Sequence, residues 1–250
     1  MKIVVAGTQG SGKTAFIKAL DSKAMCVEEP MNKKNSAQDK TTVAMDIGAI
    51  KIDDIPITLF GTPGFARFST MRTILFKGAD AMLFFMDGAN TEQDKDLSYI
   101  FKEILSEFIE SKRGIPIIIV STKMDIKNAR RASDVAFVAK EVLSVSEFAP
   151  ILKNVDSRVF EISSHAKTNL QELMKYVLEK IAQKWKPILQ IAIKYQANVS
   201  ELQKHLNLDQ DTFRDFLNDL EIRKLITLDR KNLTFSISSL GQKFLRWICV

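Results

Sequence analysis

The first three quarters of this 250-residue chain alternate short apolar runs with longer amphipathic stretches. Continuous apolar runs at residues 3–6, 81–86 and 115–120 are typical of buried parallel strands. The interval 97–109 instead repeats apolar residues at helical spacing, which predicts one long amphipathic helix. This alternation predicts a doubly wound α/β sheet, in which the ligand-binding loops follow the carboxyl ends of the strands.

Further elements complete this part of the chain. A hairpin is predicted to turn at Asp53 and Asp54. The polar, basic segment 21–40 before it is interpreted as a solvated loop, and its place between the first helix and the next strand is also where a nucleotide-sensing loop would lie. A hairpin brings an antiparallel edge strand to an otherwise parallel sheet. The other predicted elements are the hairpin strands 43–52 and 55–60, a short helix up to Lys77, a helix over 135–145, a strand over 159–162 and a helix over 170–181.

The last quarter has a different pattern. Pro187 is predicted to break the helix after Lys186, which divides the chain into domains 1–186 and 187–250. No Gly/Ser linker stands there, so we expect a docked second domain. Its order of elements resembles a winged helix-turn-helix. The predicted elements are helices over 188–195, 200–206 and 212–224, a hairpin of strands 225–228 and 233–237, and a closing helix through Phe244 and Trp247.

The segment from Gly7 to Thr14 reads G-x-x-x-x-G-K-T and lies between the first predicted strand and an amphipathic helix. Glycines let the backbone wrap around an anion, so that the N–H groups of Gln9, Gly10, Ser11 and Gly12 face phosphate oxygens. Lys13 supplies a cation to the β- and γ-phosphates, and the Thr14 hydroxyl is a ligand for Mg²⁺. The segment therefore predicts a binding site for a nucleoside triphosphate.

Composition adds few restrictions. The net charge of +6 permits contact with acidic surfaces without requiring nucleic acid or a membrane. Cys26 and Cys249 lie far apart and match no metal or disulfide spacing, which favours a reducing, cytoplasmic setting. We expect no membrane anchor, because no apolar run reaches spanning length and no lipidation motif is recognised.

Residues 1–186 resemble a Ras-like small GTPase, because five signature stretches follow each other in the order of that family. The resemblance implies binding of GTP and GDP with Mg²⁺ and hydrolysis of GTP. It places Thr42, with Thr41 as the alternative, in switch I beside Mg²⁺ and the γ-phosphate, and it places Gly64 in switch II. It also implies a set of residues that bind the guanine base: Thr122, Lys123, Asp125, Ser163, Ser164 and His165.

Four positions depart from the family pattern. Gly61 stands where the family has the aspartate that holds Mg²⁺ through water, and Asp46 on the neighbouring strand is the candidate replacement, the alternative being a plain surface carboxylate. Phe65 replaces the glutamine that orients the attacking water. Gln9 replaces a small residue near the γ-phosphate, and Thr122 replaces an asparagine, which is expected to weaken guanine binding without abolishing it.

The Gly-Thr-Pro-Gly stretch at 61–64 is similar to the prokaryotic gliding-motility branch of Ras-like GTPases. That similarity implies a built-in catalytic arginine at Arg72, with Arg67 as the rival, and small roadblock-type partner proteins. Together with the family resemblance it implies a catalytic set of Lys13, Thr42, Gly64 and Arg72.

The C-terminal domain raises a second question, whether the protein binds nucleic acid. The predicted recognition helix is acidic on balance, whereas contacts to phosphates need a basic face. A protein-docking module or a structural cap is therefore favoured over nucleic-acid binding. The sequence predicts a GTP-dependent switch with slow hydrolysis, and the alternatives are a GTP-loaded scaffold with negligible turnover and a GTP-responsive DNA-binding regulator.

Overall fold

The structure is a computed structural model. It describes residues 1–26, 28–30, 40–42, 45–63, 69–111, 114–194, 199–232 and 234–247. The chain divides into two compact units, Met1–Val177 and Leu178–Val250.

The first unit is built on a six-stranded sheet whose apolar runs are the ones seen in the sequence. Its strands are β1 (Lys2–Gly7), β4 (Asp46–Ile52), β5 (Ile55–Gly61), β6 (Ala81–Asp87), β7 (Ile117–Thr122) and β8 (Phe160–Glu161). The spatial order is β4-β5-β1-β6-β7-β8, and every neighbouring pair is parallel except β4 with β5. The predicted α/β sheet, mostly parallel with one antiparallel edge strand, is confirmed.

The hairpin of β4 and β5 turns at Asp53 and Asp54, as predicted. Both residues have positive φ angles, 47° and 62°, which suit the tight turns that match the twist of the flanking strands. The segment 21–40 is predicted as a loop, but the structure has a short antiparallel ribbon of β2 (Glu28–Pro30), which lies within it, and β3 (Lys40–Thr42), which begins at its end. The hydrophobic pattern gave no signal for this ribbon, because each strand has only three residues and all of them except Pro30 are polar.

Helices cover the faces of the sheet. They are α1 (Lys13–Leu20), α2 (Ser69–Phe76), α3 (Leu97–Ser111), α4 (Ala132–Leu143), α5 (Ala149–Leu152) and α6 (Leu170–Lys194). The apolar stripe of α3 lies in the buried core with residues of β1, β6 and β7. Phe84 of β6 stacks on Phe101 of α3 with ring centroids 4.3 Å apart. Packing of this stripe holds the strand ends, and the loops that follow them, in fixed positions.

The predicted helix break at Pro187 is wrong, since α6 runs through this residue to Lys194. The division between the two units falls inside α6, between Val177 and Leu178. Proline in a helix interior removes one hydrogen bond and costs about 3 kcal/mol. Trp185, Leu189 and Ala192 are nearly or fully buried around it, and burial of apolar side chains of this size offsets such a cost.

In the second unit, the predicted helix over 188–195 is the end of α6, and the other elements predicted for the last quarter follow it. After the end of α6 come α7 (Val199–Leu206), α8 (Gln210–Ile222), β9 (Ile226–Asp229), β10 (Thr234–Ile237) and α9 (Ser239–Trp247). Asp209 begins α8 by accepting the backbone N–H groups of Asp211 and Thr212. The strands β9 and β10 form an antiparallel hairpin. Among the described residues of the whole chain, no helix is both long and apolar enough to cross a bilayer.

Candidate functional site

The loop from Gly7 to Thr14 leaves the carboxyl end of β1 and enters α1 at Lys13. Gly7 has a φ of 141°, and a Cβ at this position would lie 2.2 Å from the carbonyl oxygen of Phe85. Gly10 and Gly12 also have positive φ angles, 71° and 88°. Three positions of this loop therefore favour glycine, and the resulting curve exposes backbone N–H groups at the start of a helix.

Lys13 is held inside this loop. Its Nζ donates to the carbonyl oxygens of Thr8 at 2.6 Å and of Gly7 at 3.0 Å. Burial lowers the pKa of the Lys13 ammonium from 10.5 to about 7, and the nearby Asp46 carboxylate opposes that shift. A buried cation at the start of a helix is arranged to receive an anion.

Thr14 and Asp46 meet below the loop. The Thr14 hydroxyl donates to Asp46 Oδ2 over 2.6 Å, and the Asp46 side chain is 1% exposed. Asp46 pairs with Gly61 across β4 and β5. A Cβ added to Gly61 would lie 2.9 Å from Asp46 Oδ2, so the glycine leaves the space that this carboxylate fills.

The other end of the site is built from the loops after β7 and β8. The Ser163 hydroxyl donates to Asp125 Oδ1 over 2.6 Å and accepts the N–H of Ala166 at 2.9 Å. This donation by Ser163 holds the pKa of Asp125 below its usual value, so the carboxylate stays ionised. His165 Nδ1 lies 4.0 Å from Asp125 Oδ2, and its side chain is 92% exposed. Ser164, which lies between Ser163 and His165 in the sequence, is half-buried.

Thr122 joins the two ends of the site. Its hydroxyl lies 2.9 Å from the carbonyl oxygen of Ser11 and 3.1 Å from that of Met86, and both are acceptors. Thr122 is 2% exposed, and its contact to Ser11 fixes the end of β7 against the glycine-rich loop. The neighbouring Lys123 pairs with Asp87 at the end of β6 over 2.6 Å. Sequence reasoning missed Asp87; the available signal was a carboxylate that ends an otherwise apolar strand.

The structure places Arg72 in a buried ion pair. Its guanidinium binds both carboxylate oxygens of Glu103 on α3, at 2.5 and 2.7 Å, and Nη1 donates to the carbonyl oxygen of Pro63 at 3.0 Å. The Arg72 side chain is 1% exposed and that of Glu103 is 10% exposed. Arg72 is thus engaged between α2 and α3, and Glu103 is a second residue that sequence reasoning did not find.

The remaining predicted site residues either lie outside the described part of the chain or are located by their backbone position and burial. Gly64, Phe65 and Arg67 lie outside the described residues. Thr42 is the last residue of β3, where its backbone pairs with Glu28. Gln9 is half-buried at the tip of the first loop. The contributions of Thr42 and Gly64 to catalysis remain predictions.

Comparison with known proteins identifies the family. The model of the Ras family matches residues 2–183 of this chain. The chain belongs to the Ras family. This assignment agrees with a glycine-rich loop after β1 and a carboxylate held at the far end of the same sheet edge.

Relatives of this Ras-family chain lie in archaea and eukaryotes. An uncharacterized protein of Methanocaldococcus jannaschii is 32% identical over 128 residues, which cover 50% of this chain and 71% of that protein. A Ypt/Rab-type GTPase of Pyricularia oryzae is 25% identical over 136 residues, which cover 52% of this chain and 62% of that GTPase. An ADP-ribosylation factor-like protein of Chlamydomonas reinhardtii is 21% identical over 183 residues, 72% of this chain and 90% of its own length.

A solved structure shares the fold. The Arl6 small GTPase from Trypanosoma brucei, determined with the nucleotide analogue GppNp, matches with a TM-score of 0.55 and 16% identity. The match covers 73% of this chain and 98% of that GTPase. Together with the family match over residues 2–183, this likeness of fold describes a small GTPase domain of the Ras, Rab and Arl type.

Proposed function

We propose that this protein is a nucleotide-dependent switch that binds GTP and GDP with Mg²⁺ and hydrolyses GTP slowly. The observation that carries the proposal is the contact between the Thr14 hydroxyl and the buried Asp46 carboxylate, directly below the glycine-rich loop. Hydroxyl and carboxylate oxygens are the ligands that Mg²⁺ prefers, and few are needed because the phosphates and waters supply the rest.

Asp46 takes the place of the carboxylate that is missing at Gly61. The two residues face each other across the hairpin, and the Asp46 oxygen fills the space a side chain on Gly61 would occupy. This position supports Asp46, on the neighbouring strand, as the carboxylate that serves in place of the one missing at Gly61. A bound Mg²⁺ would neutralise charge on the β- and γ-phosphate oxygens, and Thr14 and Asp46 are the residues that would hold it.

Replacing Asp46 by asparagine is expected to weaken the dependence of nucleotide binding on Mg²⁺. The amide keeps an acceptor for Thr14 but loses the charge that a hard cation requires. We expect GDP release in Mg²⁺ to become about tenfold faster, approaching the wild-type rate in EDTA, since hydrogen bonds and contacts to charged groups contribute about 1.5–3 kcal/mol. The measurement is stopped-flow release of a fluorescent GDP with and without Mg²⁺.

Asp21 offers a matched control for that experiment. Its carboxylate also contacts β4, where it accepts the N–H of Ala49 at 2.8 Å, but it lies at the other end of α1 from Thr14. Asp21→Asn should leave the Mg²⁺ dependence unchanged. Wild-type Mg²⁺ dependence in Asp46→Asn would show that the metal-binding carboxylate comes from elsewhere.

Replacing Lys13 by alanine is expected to abolish most nucleotide affinity while the domain still folds. A charge-assisted contact to phosphate contributes about 1.5–3 kcal/mol. Loss of the two contacts of Lys13, to the β- and the γ-phosphate, therefore predicts an affinity for GTP that is lower by at least about a hundredfold. Because burial lowers the pKa of Lys13 to about 7, its charge is costly in the folded protein, and its removal spares the fold. Thermal melting should rise with GTP in the wild type and not in Lys13→Ala.

The exposed Lys18 on the same helix is the control for Lys13. Lys18→Ala should keep the full rise in melting temperature with GTP. An equal rise in Lys13→Ala would place the phosphate site elsewhere.

Slow hydrolysis is proposed from two features of the chain. Phe65 stands at the water-orienting position, and a phenyl ring cannot orient water. Arg72 is engaged with Glu103 and Pro63, so the Arg72 guanidinium reaches the phosphates only when that pair opens. The same observation favours a second candidate, a GTP-loaded scaffold with negligible turnover, and single-turnover hydrolysis of bound GTP distinguishes the two.

For the second unit we propose a winged-helix-like module that binds protein. Three arginines of α8 and its hairpin are paired with carboxylates of α8, which reduces the positive charge available for a nucleic-acid backbone. The pairs are Arg214 with Asp211, Arg223 with Asp219 and Arg230 with Glu221. A DNA-binding regulator would show binding that weakens steeply with salt, and a pull-down with the GTP-loaded protein tests for effectors, including a roadblock-type partner.

A further inference from the structure

Asp87 is a nearly buried carboxylate at the end of β6. The other six residues of this strand are apolar and buried. Burial of a carboxylate is unfavourable unless partners compensate its lost hydration. Asp87 has two such partners: its Oδ1 accepts the N–H of Ala89 at 2.9 Å, and its Oδ2 accepts Lys123 Nζ at 2.6 Å.

Lys123 is held at both ends. Its backbone adopts a φ of 61°, a left-handed conformation that a residue with a side chain seldom takes. The preceding Thr122 is fixed by its hydroxyl contact to Ser11, and the Lys123 ammonium is fixed by Asp87. Surroundings that determine such a conformation from two sides are common at ligand sites. The aliphatic stem of Lys123 is therefore confined between two fixed points.

We propose that Asp87 is a positioning residue that sets the Lys123 stem as an apolar surface for the nucleotide base. This inference rests on the proposed binding of guanine nucleotide at Asp125. An apolar stem contacts the face of a ring and reads none of the groups on its edge. Asp87 therefore raises the affinity for purine nucleotides in general, whereas Asp125 selects among them.

The test is Asp87→Asn, which keeps an acceptor for Ala89 and removes the charge that holds Lys123. We expect the Kd values for GDP and for inosine diphosphate to rise together by about tenfold, with their ratio unchanged. Lys123→Met keeps an apolar stem and removes the ammonium, so it should raise both Kd values by the same factor. This second variant tests the inference independently of whether Asp87→Asn folds. In the Lys123→Met background, Asp87→Asn should change the Kd by no more than about twofold.

Asp80→Asn is the matched control. Asp80 is as buried as Asp87 and accepts the backbone N–H of Lys2 at 2.8 Å, but it precedes β6 at the end opposite Asp87. Its replacement should leave the Kd for GDP within about twofold. An equal loss from Asp87→Asn with and without Lys123, a changed ratio of GDP to inosine diphosphate, or unaltered affinity in both folded variants would overturn the inference. Failure of the wild type to bind GDP would overturn the proposed function as well.

Discussion

Replacing Asp125 by asparagine is expected to shift the base preference from guanine to xanthine by roughly 10²–10⁴. An ionised carboxylate accepts two hydrogen bonds, from N1–H and from the amino group of guanine. An amide presents a donor to that amino group, whereas xanthine has a carbonyl there. The Ser163 hydroxyl, which donates to Asp125 Oδ1 over 2.6 Å, keeps an acceptor in the variant, so the loop should retain its geometry.

Competition between GTP and XTP measures this preference directly. Asp134→Asn is a suitable control, because Asp134 accepts the backbone N–H of Arg131 and the hydroxyl of Ser133 at the start of α4. That control should keep the wild-type ratio. A preference for GTP in Asp125→Asn equal to that of the wild type would mean that another residue reads the base.

The second large effect is expected on stability, from Arg72→Ala. Removing one partner of a buried ion pair leaves the other charge uncompensated and costs about 3–5 kcal/mol. Here the uncompensated group is Glu103, which is 10% exposed, and the carbonyl oxygen of Pro63 also loses a donor. Denaturant unfolding should report this loss as a lower midpoint with an unchanged slope.

Lys102, next to Glu103 on α3, provides the comparison. It pairs with Glu147 over 3.3 Å, but both side chains are about half exposed, 57% and 44%, and such pairs contribute about 0–1 kcal/mol. Lys102→Ala should therefore change stability little. A loss in Arg72→Ala no larger than that of Lys102→Ala would show that the Arg72–Glu103 pair does not hold α2 to α3.

A test of catalysis by Arg72 requires a variant that lacks this arginine and still folds. Arg72→Leu combined with Glu103→Leu removes both charges together, which is often neutral for stability. Where Arg72 is the catalytic arginine, a partner should stimulate the wild type and not this double variant, a difference of about 10³–10⁵ in rate. Equal stimulation of both would assign the arginine to Arg67 or to a group supplied in trans.

Local sequence determined the elements that form the base of the site. The apolar runs predicted β1, β6 and β7, because a strand buried on both faces needs apolar residues at every position. The glycines between Gly7 and Gly12 predicted the curve of the phosphate loop, since that backbone disfavours side chains. Sequence also offered Asp46 as a carboxylate on the strand next to Gly61, and the register of the hairpin in the structure places the two residues opposite each other.

Tertiary structure decided the contacts between residues that are distant in the chain. The pairs Arg72–Glu103 and Asp87–Lys123 join elements 31 and 36 residues apart, and no local period or motif specifies which carboxylate meets which cation. The continuation of α6 through Pro187 was also decided by tertiary packing. Local propensity predicts a break there, but the buried side chains around it, Trp185 among them, offset the lost hydrogen bond. Short-range patterns fix elements and loops, whereas pairing across the fold depends on how those elements pack.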